Sequence, residues 1–302
     1  MVKSLVLENI SVGFKLPQGV FYAVDDVSLN LHGGNFTAII GESGCGKSVL
    51  GQAILNILPS GVVKKGRVLY NGEQVKEILS AFGIIPQNPS ESLNPVRKIG
   101  KQMQDILAVH NIADGDNSYK KQCLRLFGLQ EAERVLAAYP HELSGGMLQR
   151  VLCAMAVSSK PEWILADEPT KGLDEQVGAV VRKNLLTIKQ DLRLSMLIIT
   201  HDIALAQEVC DDVLVMYAGQ VLEHNADIWH KPLHPYTKGF LQALPKNGLQ
   251  VIPGKAPVPG ESFTGCKFAA CCPYCTTRCK EEMPAMQQVG NAEVRCFLYA
   301  EG

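Results

Sequence analysis

The sequence predicts an α/β fold with a parallel β-sheet at its core, and three observations support this. Apolar segments rich in β-branched residues alternate with helical segments along most of the 302-residue chain, as in strands joined by helical crossovers. A glycine-rich segment, residues 41–48, stands between an apolar segment and a helical one. The carboxylate pair Asp167-Glu168 directly follows an apolar segment. These features place a glycine loop and two carboxylates at the carboxyl edge of one sheet, where open α/β sheets bind ligands.

The composition is that of an ordinary globular protein, with 46% hydrophobic and 20% charged residues. The net charge of −1 gives no support for a nucleic-acid or membrane-surface partner. Residues 1–8 lack the apolar core of a signal peptide, and no apolar run approaches the roughly 18 residues that span a bilayer. We therefore expect a soluble, cytosolic protein that binds no nucleic acid and reaches a membrane only through a partner.

Alternation and β-branched content predict the strands, and helical periodicity predicts the helices. The predicted strands are residues 4–8, 24–31, 36–40, 67–70, 81–86, 163–167, 195–200 and 212–217, and the predicted helices are residues 49–58, 175–190 and 202–209. Asn71-Gly72 is typical of a tight hairpin turn. Between residues 88 and 159 helical periodicity dominates, which predicts a helical insertion in the α/β domain.

The segment Gly41–Ser48 fits the pattern G-x-x-x-x-G-K-[ST]. Its glycines let the backbone wrap a phosphate, and the following helix presents bare N–H groups and the positive end of its dipole. Lys47 brings charge to the β- and γ-phosphates, and the Ser48 hydroxyl suits Mg²⁺. A glycine turn without a ligand is the weaker interpretation, because the flanking strand and helix also fit. The chain is therefore predicted to bind a nucleoside triphosphate.

Two further segments carry candidate chemistry. Asp167 suits a Mg²⁺ ion and Glu168 suits the polarisation of an attacking water, whereas a solvated carboxylate pair is less expected after a buried strand. Ser144 is a good helix N-cap, and Gly145-Gly146 leaves N–H groups uncovered. Taken alone, this second segment fits plain helix capping as well as it fits an anion site.

In combination these motifs resemble the ATP-binding cassette (ABC) family, over roughly residues 4–245. The motifs that recur in its order and spacing are Gly41–Ser48 (Walker A), Gln87 (Q-loop), Leu143–Met147 (signature), Trp163–Glu168 (Walker B), Gly172–Asp174 (D-loop) and His201 (H-loop). The resemblance implies a P-loop NTPase cassette with a RecA-like parallel sheet core. It also implies an N-terminal antiparallel β-subdomain and a helical subdomain at about residues 88–160.

The resemblance implies that two such cassettes meet head to tail with ATP between them. Glu168 would be the general base, His201 would hold the γ-phosphate and the base in line, and Gln87 would sense Mg²⁺ and water. The implied nucleotide-binding residues are Phe14, Gly41, Ser43, Gly44, Cys45, Gly46, Lys47, Ser48, Ser144, Gly145, Gly146, Asp167 and Asp174, and the implied Mg²⁺ residues are Ser48, Gln87 and Asp167. Ser144, Gly146 and Asp174 would act on the opposite site.

The position of Phe14 is predicted to be a loop after the first strand. An aromatic side chain there could stack on the adenine, although a phenylalanine that anchors the loop or the core is about as well supported. The D-loop departs slightly from the family, since Lys171-Gly172 stands where small or hydroxyl residues are commoner. Asp174 is kept, so we expect activity to be retained.

Three stretches, residues 87–95, 139–143 and 234–241, resemble the peptide and nickel importer ATPases of the family. This implies an ATP-hydrolysing subunit that energises import of peptides or of nickel chelates, at the cytoplasmic face of the membrane. Its implied partners are a second cassette, commonly a paralogue, two transmembrane permease subunits docking near residues 89–103 and, indirectly, an extracytoplasmic substrate-binding protein. The sequence is silent on the transported solute.

After Pro245 the composition shifts to Pro, Gly and Cys, which predicts an ABC domain at residues 1–245 and a small appendage at 246–302. Cys266, Cys272, Cys279 and Cys296 match the tail cysteines of the peptide importers, and in some members that tail holds a [4Fe–4S] cluster. Zinc and unligated thiols remain alternatives, because Cys271 and Cys275 are additions to the pattern. The scattered cysteines, Cys45, Cys123, Cys153 and Cys210, are predicted to be mostly buried small apolar residues.

Two other functions fit parts of the sequence. One is a soluble cassette ATPase without a transporter, for example in iron–sulfur assembly. The other is a redox-sensing regulatory subunit that binds ATP without turning it over. The single cassette with a short insertion argues against the ribosomal and repair types of the first class, which usually carry two cassettes or long coiled-coil inserts. The full set of catalytic positions argues against the second.

Overall fold

The computed structural model describes residues 4–17, 19–74, 78–244, 248–254, 257, 261 and 263–300. These residues form two compact units. The first unit takes its residues from Met1–His32, Thr37–Val75 and Cys210–Gly302, and the second from Gly33–Phe36 and Lys76–Val209. The first therefore combines N-terminal and C-terminal segments, whereas the second is drawn almost entirely from the segment between them.

The N-terminal part of the first unit is an antiparallel sheet with the strand order β2-β1-β4-β5. Its strands are β1 (Ser4–Leu16), β2 (Gly19–His32), β4 (Val63–Tyr70) and β5 (Glu73–Gln74). Asn71 and Gly72 both have positive φ and join β4 to β5, as their sequence predicts. The N-terminal antiparallel β-subdomain is thus present.

Strands β1 and β2 are longer than residues 4–8 and 24–31, the ranges predicted from alternation. Their pairing shifts register between Leu7 and Ile10, and the bulge residue Asn9 has a φ of 50°. A bulge changes the side-chain alternation, so the pattern ends before the strand does. Phe14 consequently lies within β1, opposite Phe21. Its predicted position in a loop was wrong.

The first unit also contains a second set of strands, in the order β11-β12-β10-β9-β3. β3 (Phe36–Gly41) and β9 (Asp212–Tyr217) are parallel, with Thr37 opposite Asp212. β10 (Gln220–Asn225), β11 (Gln287–Val289) and β12 (Ala292–Val294) are antiparallel additions. The helices here are α1 (Lys47–Leu55), α9 (Pro235–Gln242) and α10 (Thr277–Glu281). The sequence predicted the parallel pair. It did not predict β10 to β12, because their polar residues interrupt the apolar pattern of a strand.

The described part of the cysteine-rich tail packs within the first unit, because β12 extends the edge formed by β10. His224 of β10 lies between two carboxylates, with Nδ1 3.2 Å from Glu293 of β12 and Nε2 3.8 Å from Asp212 of β9. Burial lowers the pKa of His224, but the interactions of the imidazole with both carboxylates outweigh it and raise this pKa to about 9. The imidazole is therefore cationic at neutral pH. The predicted division at residue 245 falls outside the described residues.

The second unit has a parallel sheet with the strand order β8-β7-β6. Its strands are β6 (Phe82–Ile85), β7 (Trp163–Asp167) and β8 (Ser195–Ile199). Its helices are α2 (Pro89–Ser92), α3 (Ile99–Val109), α4 (Ser118–Leu126), α5 (Ala132–Ala137), α6 (Gly145–Ser158), α7 (Glu175–Thr187) and α8 (Ile203–Val209). Between residues 88 and 159 only helical elements occur, as the periodicity predicts.

The described core contains three of the four scattered cysteines. Cys45, Cys123 and Cys153 are buried, and Cys210 is half-buried. Burial raises the pKa of the Cys153 thiol to about 12, so it behaves as a small apolar side chain. Within the described ranges, every helix is too short or too polar to traverse a lipid bilayer.

Candidate functional site

The glycine-rich loop joins β3 to α1 in the first unit, and two of its glycines have no room for a side chain. A Cβ added to Gly41 would overlap the carbonyl oxygen of Met216, and one added to Gly46 would overlap that of Ala23. Both glycines have positive φ, 148° and 104° respectively. Only glycine fits these positions without moving the backbone.

Lys47 holds its ammonium group across this loop. The side chain is buried, and Nζ donates hydrogen bonds of 2.9 Å to the carbonyl oxygens of Gly41 and Glu42. Gly46, the N-cap of α1, contributes no capping side chain, so the first N–H groups of the helix are available to an anion. The cation and the helix N-terminus together make the loop suited to phosphate.

Beside the loop lies a cavity of ≈ 400 Å³. Its lining includes the loop residues Ser43 and Gly44, the β2 residue Tyr22, and the tail residues Phe263 and Lys267. The aromatic lining comes from β2 and the tail, whereas Phe14 is not part of it. Stacking of Phe14 on adenine stays a prediction.

In the second unit, Glu168 and His201 form a hydrogen-bonded pair. Asp167 ends β7, and the next residue, Glu168, has a φ of 48° in the left-handed region. Its backbone N–H donates to Ile199 at 2.7 Å. Its buried carboxylate accepts from His201, whose Nδ1 lies 2.6 Å and whose backbone nitrogen lies 3.3 Å from Oε2. Such left-handed backbone at a non-glycine residue is found at sites where the surrounding structure fixes a functional side chain.

A second contact, which the sequence did not indicate, supports this pair. Thr170 Oγ1 donates to Asp202 Oδ2 at 3.1 Å, and Asp202 Oδ1 accepts from the Leu205 backbone at 3.0 Å, capping α8. The residue after His201 is thus tied to the loop that follows Glu168. The capping role of Asp202 could have been predicted from the sequence, because aspartate is a preferred N-cap and this residue stands at the start of a predicted helix.

Ser144 and Asp174 both cap helices of the second unit. Ser144 Oγ accepts from the Met147 backbone at 3.3 Å, as predicted, and begins α6. Asp174 Oδ1 accepts from the Val177 backbone at 2.9 Å and begins α7, a role that sequence reasoning missed. Added Cβ atoms at Gly145 and Gly146 would meet open space. Within the described chain, no neighbouring side chain or backbone therefore crowds these two positions at the N-terminus of α6.

The structure places the predicted site residues in two groups. The first unit contains Phe14 and Gly41–Ser48, and the second contains Gln87, Ser144, Gly145, Gly146, Asp167, Glu168, Asp174 and His201. Gln87 is exposed just after β6. Within the second unit, Glu168 and His201 are in direct contact. Their roles in catalysis stay predictions.

The four family-matching tail cysteines line one cavity of ≈ 170 Å³ in the first unit. These are Cys266, Cys272, Cys279 and Cys296. Cys271 and Cys275 are not part of its lining. Burial raises the pKa of Cys266 to about 11. Across the part of the chain that the structure describes, no three His, Cys, Asp or Glu side chains converge closely enough for one metal ion.

Comparison with known proteins agrees with this geometry. Residues 24–171 match the ABC transporter family model, and residues 222–279 match the model of the oligopeptide/dipeptide transporter C-terminal region. The oligopeptide transport ATP-binding protein OppD of Haemophilus influenzae is 34% identical, with 98% of this chain and 98% of that protein covered. The chain belongs to the ABC transporter family. The dipeptide transport ATP-binding protein DppD of Escherichia coli is 36% identical to this cassette, with 95% of this chain and 94% of that protein covered.

Solved structures confirm the cassette fold. An ATP-binding cassette in a dimeric post-hydrolysis state bound to ADP and Pi matches with a TM-score of 0.61 and 26% identity, covering 73% of this chain and 97% of that one. The cbiO1 protein of Clostridium perfringens, part of the ABC transporter complex cbiONQ, matches with a TM-score of 0.61 and 26% identity, covering 74% and 88%. This chain is an ABC-type ATPase, and the hypothesis of an ATPase outside transport is not favoured.

Proposed function

We propose that this cassette hydrolyses ATP to energise the import of oligopeptides or dipeptides through a membrane transporter. The observation that carries the proposal is the similarity over nearly the whole chain to OppD and DppD, proteins named for oligopeptide and dipeptide transport. The matched C-terminal region, residues 222–279, extends this similarity beyond the cassette core. Nickel chelates, the other substrate class expected from the sequence, have no comparable support.

For hydrolysis, we assign the general-base role to Glu168, because its carboxylate is buried and held by His201. Lys47 and the N–H groups of the loop compensate the charge of the β- and γ-phosphates. Ser48, Gln87 and Asp167 would hold Mg²⁺, and this all-oxygen donor set suits a hard cation that supplies further charge compensation. Phosphoryl transfer depends mainly on such positioning and charge compensation.

The second cassette would contribute from its signature and D-loop. Ser144, Gly145 and Gly146 form the uncovered N-terminus of α6, a helix of 14 residues, which suits the γ-phosphate of an opposite ATP. Asp174 would contact the opposite site. We expect the partner cassette to be a paralogue.

The permease subunits would dock on the helical part of the second unit. A groove of ≈ 430 Å³ there has a mixed lining, in which the apolar side chains Ile84, Ile106 and Leu152 stand beside polar ones such as Arg97, Gln102 and Asp105. Ile84 is 39% exposed and Val96, between α2 and α3, is 78% exposed. Exposed apolar side chains beside a groove are typical of protein contacts. We therefore propose that one of the two permeases docks at this groove, and that the cassette lies at the cytoplasmic face of the membrane.

Reconstitution in proteoliposomes tests the transport function. The cassette, co-purified with its permeases and its partner cassette, is expected to hydrolyse ATP faster when the substrate-binding protein carries a peptide. The same binding protein without a peptide, or supplied with a nickel chelate, is the matched control. Equal ATPase rates with and without peptide-loaded binding protein would contradict the proposal.

We further propose that the tail holds a [4Fe–4S] cluster. Four cysteines at one cavity supply the right number and type of ligands, and a cluster would tie together segments around Cys266, Cys272, Cys279 and Cys296. Tetrahedral zinc, the alternative metal, would also take four thiolates, but the spacing of these cysteines along the chain fits no generic zinc template.

Anaerobic purification tests the cluster. The parent protein is expected to show the broad visible absorption of an iron–sulfur cluster and to contain about four irons per chain. Cys279→Ser should lose most of both, whereas Cys275→Ser, a change outside the cavity, should retain them. Stoichiometric zinc in place of iron, or equal iron loss in the two variants, would contradict the proposal.

A further inference from the structure

Lys267, the residue after Cys266, has a buried side chain whose charged group contacts residues outside the tail. Its side chain is 7% exposed, and Nζ lies 2.7 Å from Asp25 Oδ2 of β2. The same Nζ donates to the carbonyl oxygen of Ala218 at 2.9 Å. A buried lysine is rare unless it is paired, so these two contacts explain why the charge is tolerated here.

Both partners of Lys267 belong to the backbone network that supports the phosphate loop. Ala218 and Gly219 form the turn between β9 and β10. Gly219 accepts a hydrogen bond from the Asp25 N–H at 2.9 Å and donates from its own N–H to the Cys45 carbonyl at 3.0 Å. Lys267 thus bonds the turn at Ala218 and pairs with Asp25, which bonds the same turn at Gly219.

The bond from Gly219 to Cys45 fixes the direction of a loop N–H group. In a trans peptide the C=O and the following N–H point to opposite sides. Holding the Cys45 carbonyl on Gly219 therefore directs the Gly46 N–H away from the turn. Gly46 also packs so closely on the Ala23 carbonyl that a Cβ would overlap it, so the loop lies directly against β2 at this residue.

We propose that Lys267 is a positioning residue for the phosphate loop. It acts through the Ala218-Gly219 turn on the Cys45–Gly46 peptide, and thereby sets the affinity of the ATPase for its nucleotide. The inference rests on the proposed function in one respect, namely that the nucleotide phosphates bind at this loop. It adds that the cysteine-rich tail contributes to the nucleotide site of its own chain.

Arg295 provides a matched control in the same tail. Its side chain is also 7% exposed, and it bonds the neighbouring β2 residue, with Nη2 2.9 Å from the Asp26 carbonyl oxygen and Nη1 3.5 Å from Asp26 Oδ2. The Asp26 N–H bonds to Ser11 Oγ at 3.0 Å, not to the turn. Arg295 therefore fastens the tail to β2 without reaching the support of the loop.

The experiment compares Lys267→Met and Arg295→Met in the full-length cassette. ATP and ADP dissociation constants are measured by calorimetry, KM and kcat by steady-state hydrolysis, and melting temperature by circular dichroism. We expect Lys267→Met to weaken nucleotide binding and raise KM by about tenfold, with kcat at saturating ATP little changed. Arg295→Met should lower the melting temperature comparably and leave the dissociation constants unchanged. Lys267→Arg, which can bond both partners, should restore most of the affinity.

Equal dissociation constants for parent and Lys267→Met would overturn the inference while leaving the ATPase function intact. So would an equal loss of affinity in Arg295→Met, because the effect would then be general destabilisation. Should Lys267→Met not fold, Asp25→Asn removes the ion pair at similar shape and must raise KM in the same way. A parent protein that bound no nucleotide would overturn both this inference and the proposed function.

Discussion

Glu168→Gln is expected to lower ATP turnover by roughly 10²–10⁴-fold, the usual cost of losing a positioned general base. The amide has the shape of the carboxylate, so ATP binding should be retained. Because ATP would persist between two cassettes, the variant should accumulate as a closed dimer. Steady-state hydrolysis, nucleotide retention after gel filtration and the elution volume measure the three effects.

Glu175→Gln is the matched control for this variant. Glu175 is an exposed acid in the first turn of α7, and its replacement removes the same charge without touching His201. It should hydrolyse ATP like the parent. Parental turnover in Glu168→Gln would show that another group activates the water, and would remove Glu168 from the proposed catalytic role.

Gly46→Ala is expected to reduce nucleotide affinity by roughly a hundredfold or more, equivalent to about 3 kcal/mol. The new Cβ would overlap the carbonyl oxygen of Ala23, at a residue whose φ of 104° is already unfavourable for alanine. The loop must then move, and its N–H groups no longer converge on the phosphates. Calorimetric titration with ATP measures the change.

Gly61→Ala is the control that distinguishes the strain of alanine at positive φ from the overlap of a Cβ with a neighbouring carbonyl. Gly61 also has positive φ, 87°, but an added Cβ would meet nothing within 4 Å. This variant should lose about 1 kcal/mol of folding stability and bind ATP like the parent. If Gly46→Ala bound ATP as tightly as Gly61→Ala, the close packing of the loop on β2 would not be what shapes the nucleotide site.

The parts of the fold that the sequence predicted well are those with a local cause. β3, β7, β8 and β9 are continuous apolar segments, and each lies within one residue of its predicted range. Buried parallel strands give such uninterrupted patterns. The predicted range of β1 ended too early because a bulge near Asn9 changes the alternation of its side chains. The short strands β11 and β12 have three residues each, too few for a recognisable period.

In the candidate site, too, the features with a local cause were predictable from the sequence and the long-range contacts were not. The Ser144 cap follows from residue type and position alone. The contact between Glu168 and His201 was expected only through the family resemblance, because it joins residues 33 positions apart. The bond from Lys267 to Ala218 spans 49 positions, and no local pattern distinguishes a buried lysine from an exposed one. Contacts of this kind depend on tertiary packing.

The first unit combines segments that are far apart in the sequence, and this has a consequence for its folding during synthesis. Thr37 of β3, the strand that leads into the phosphate loop, pairs with Asp212 of β9, and the turn that holds Cys45 comes later still. A ribosome must therefore synthesise the chain through β9 and the turn after it before the loop gains its neighbours, and through residue 294 before β12 is complete. Domains fold as units during synthesis, so nascent or prematurely terminated chains should carry the glycine motif without being able to capture ATP.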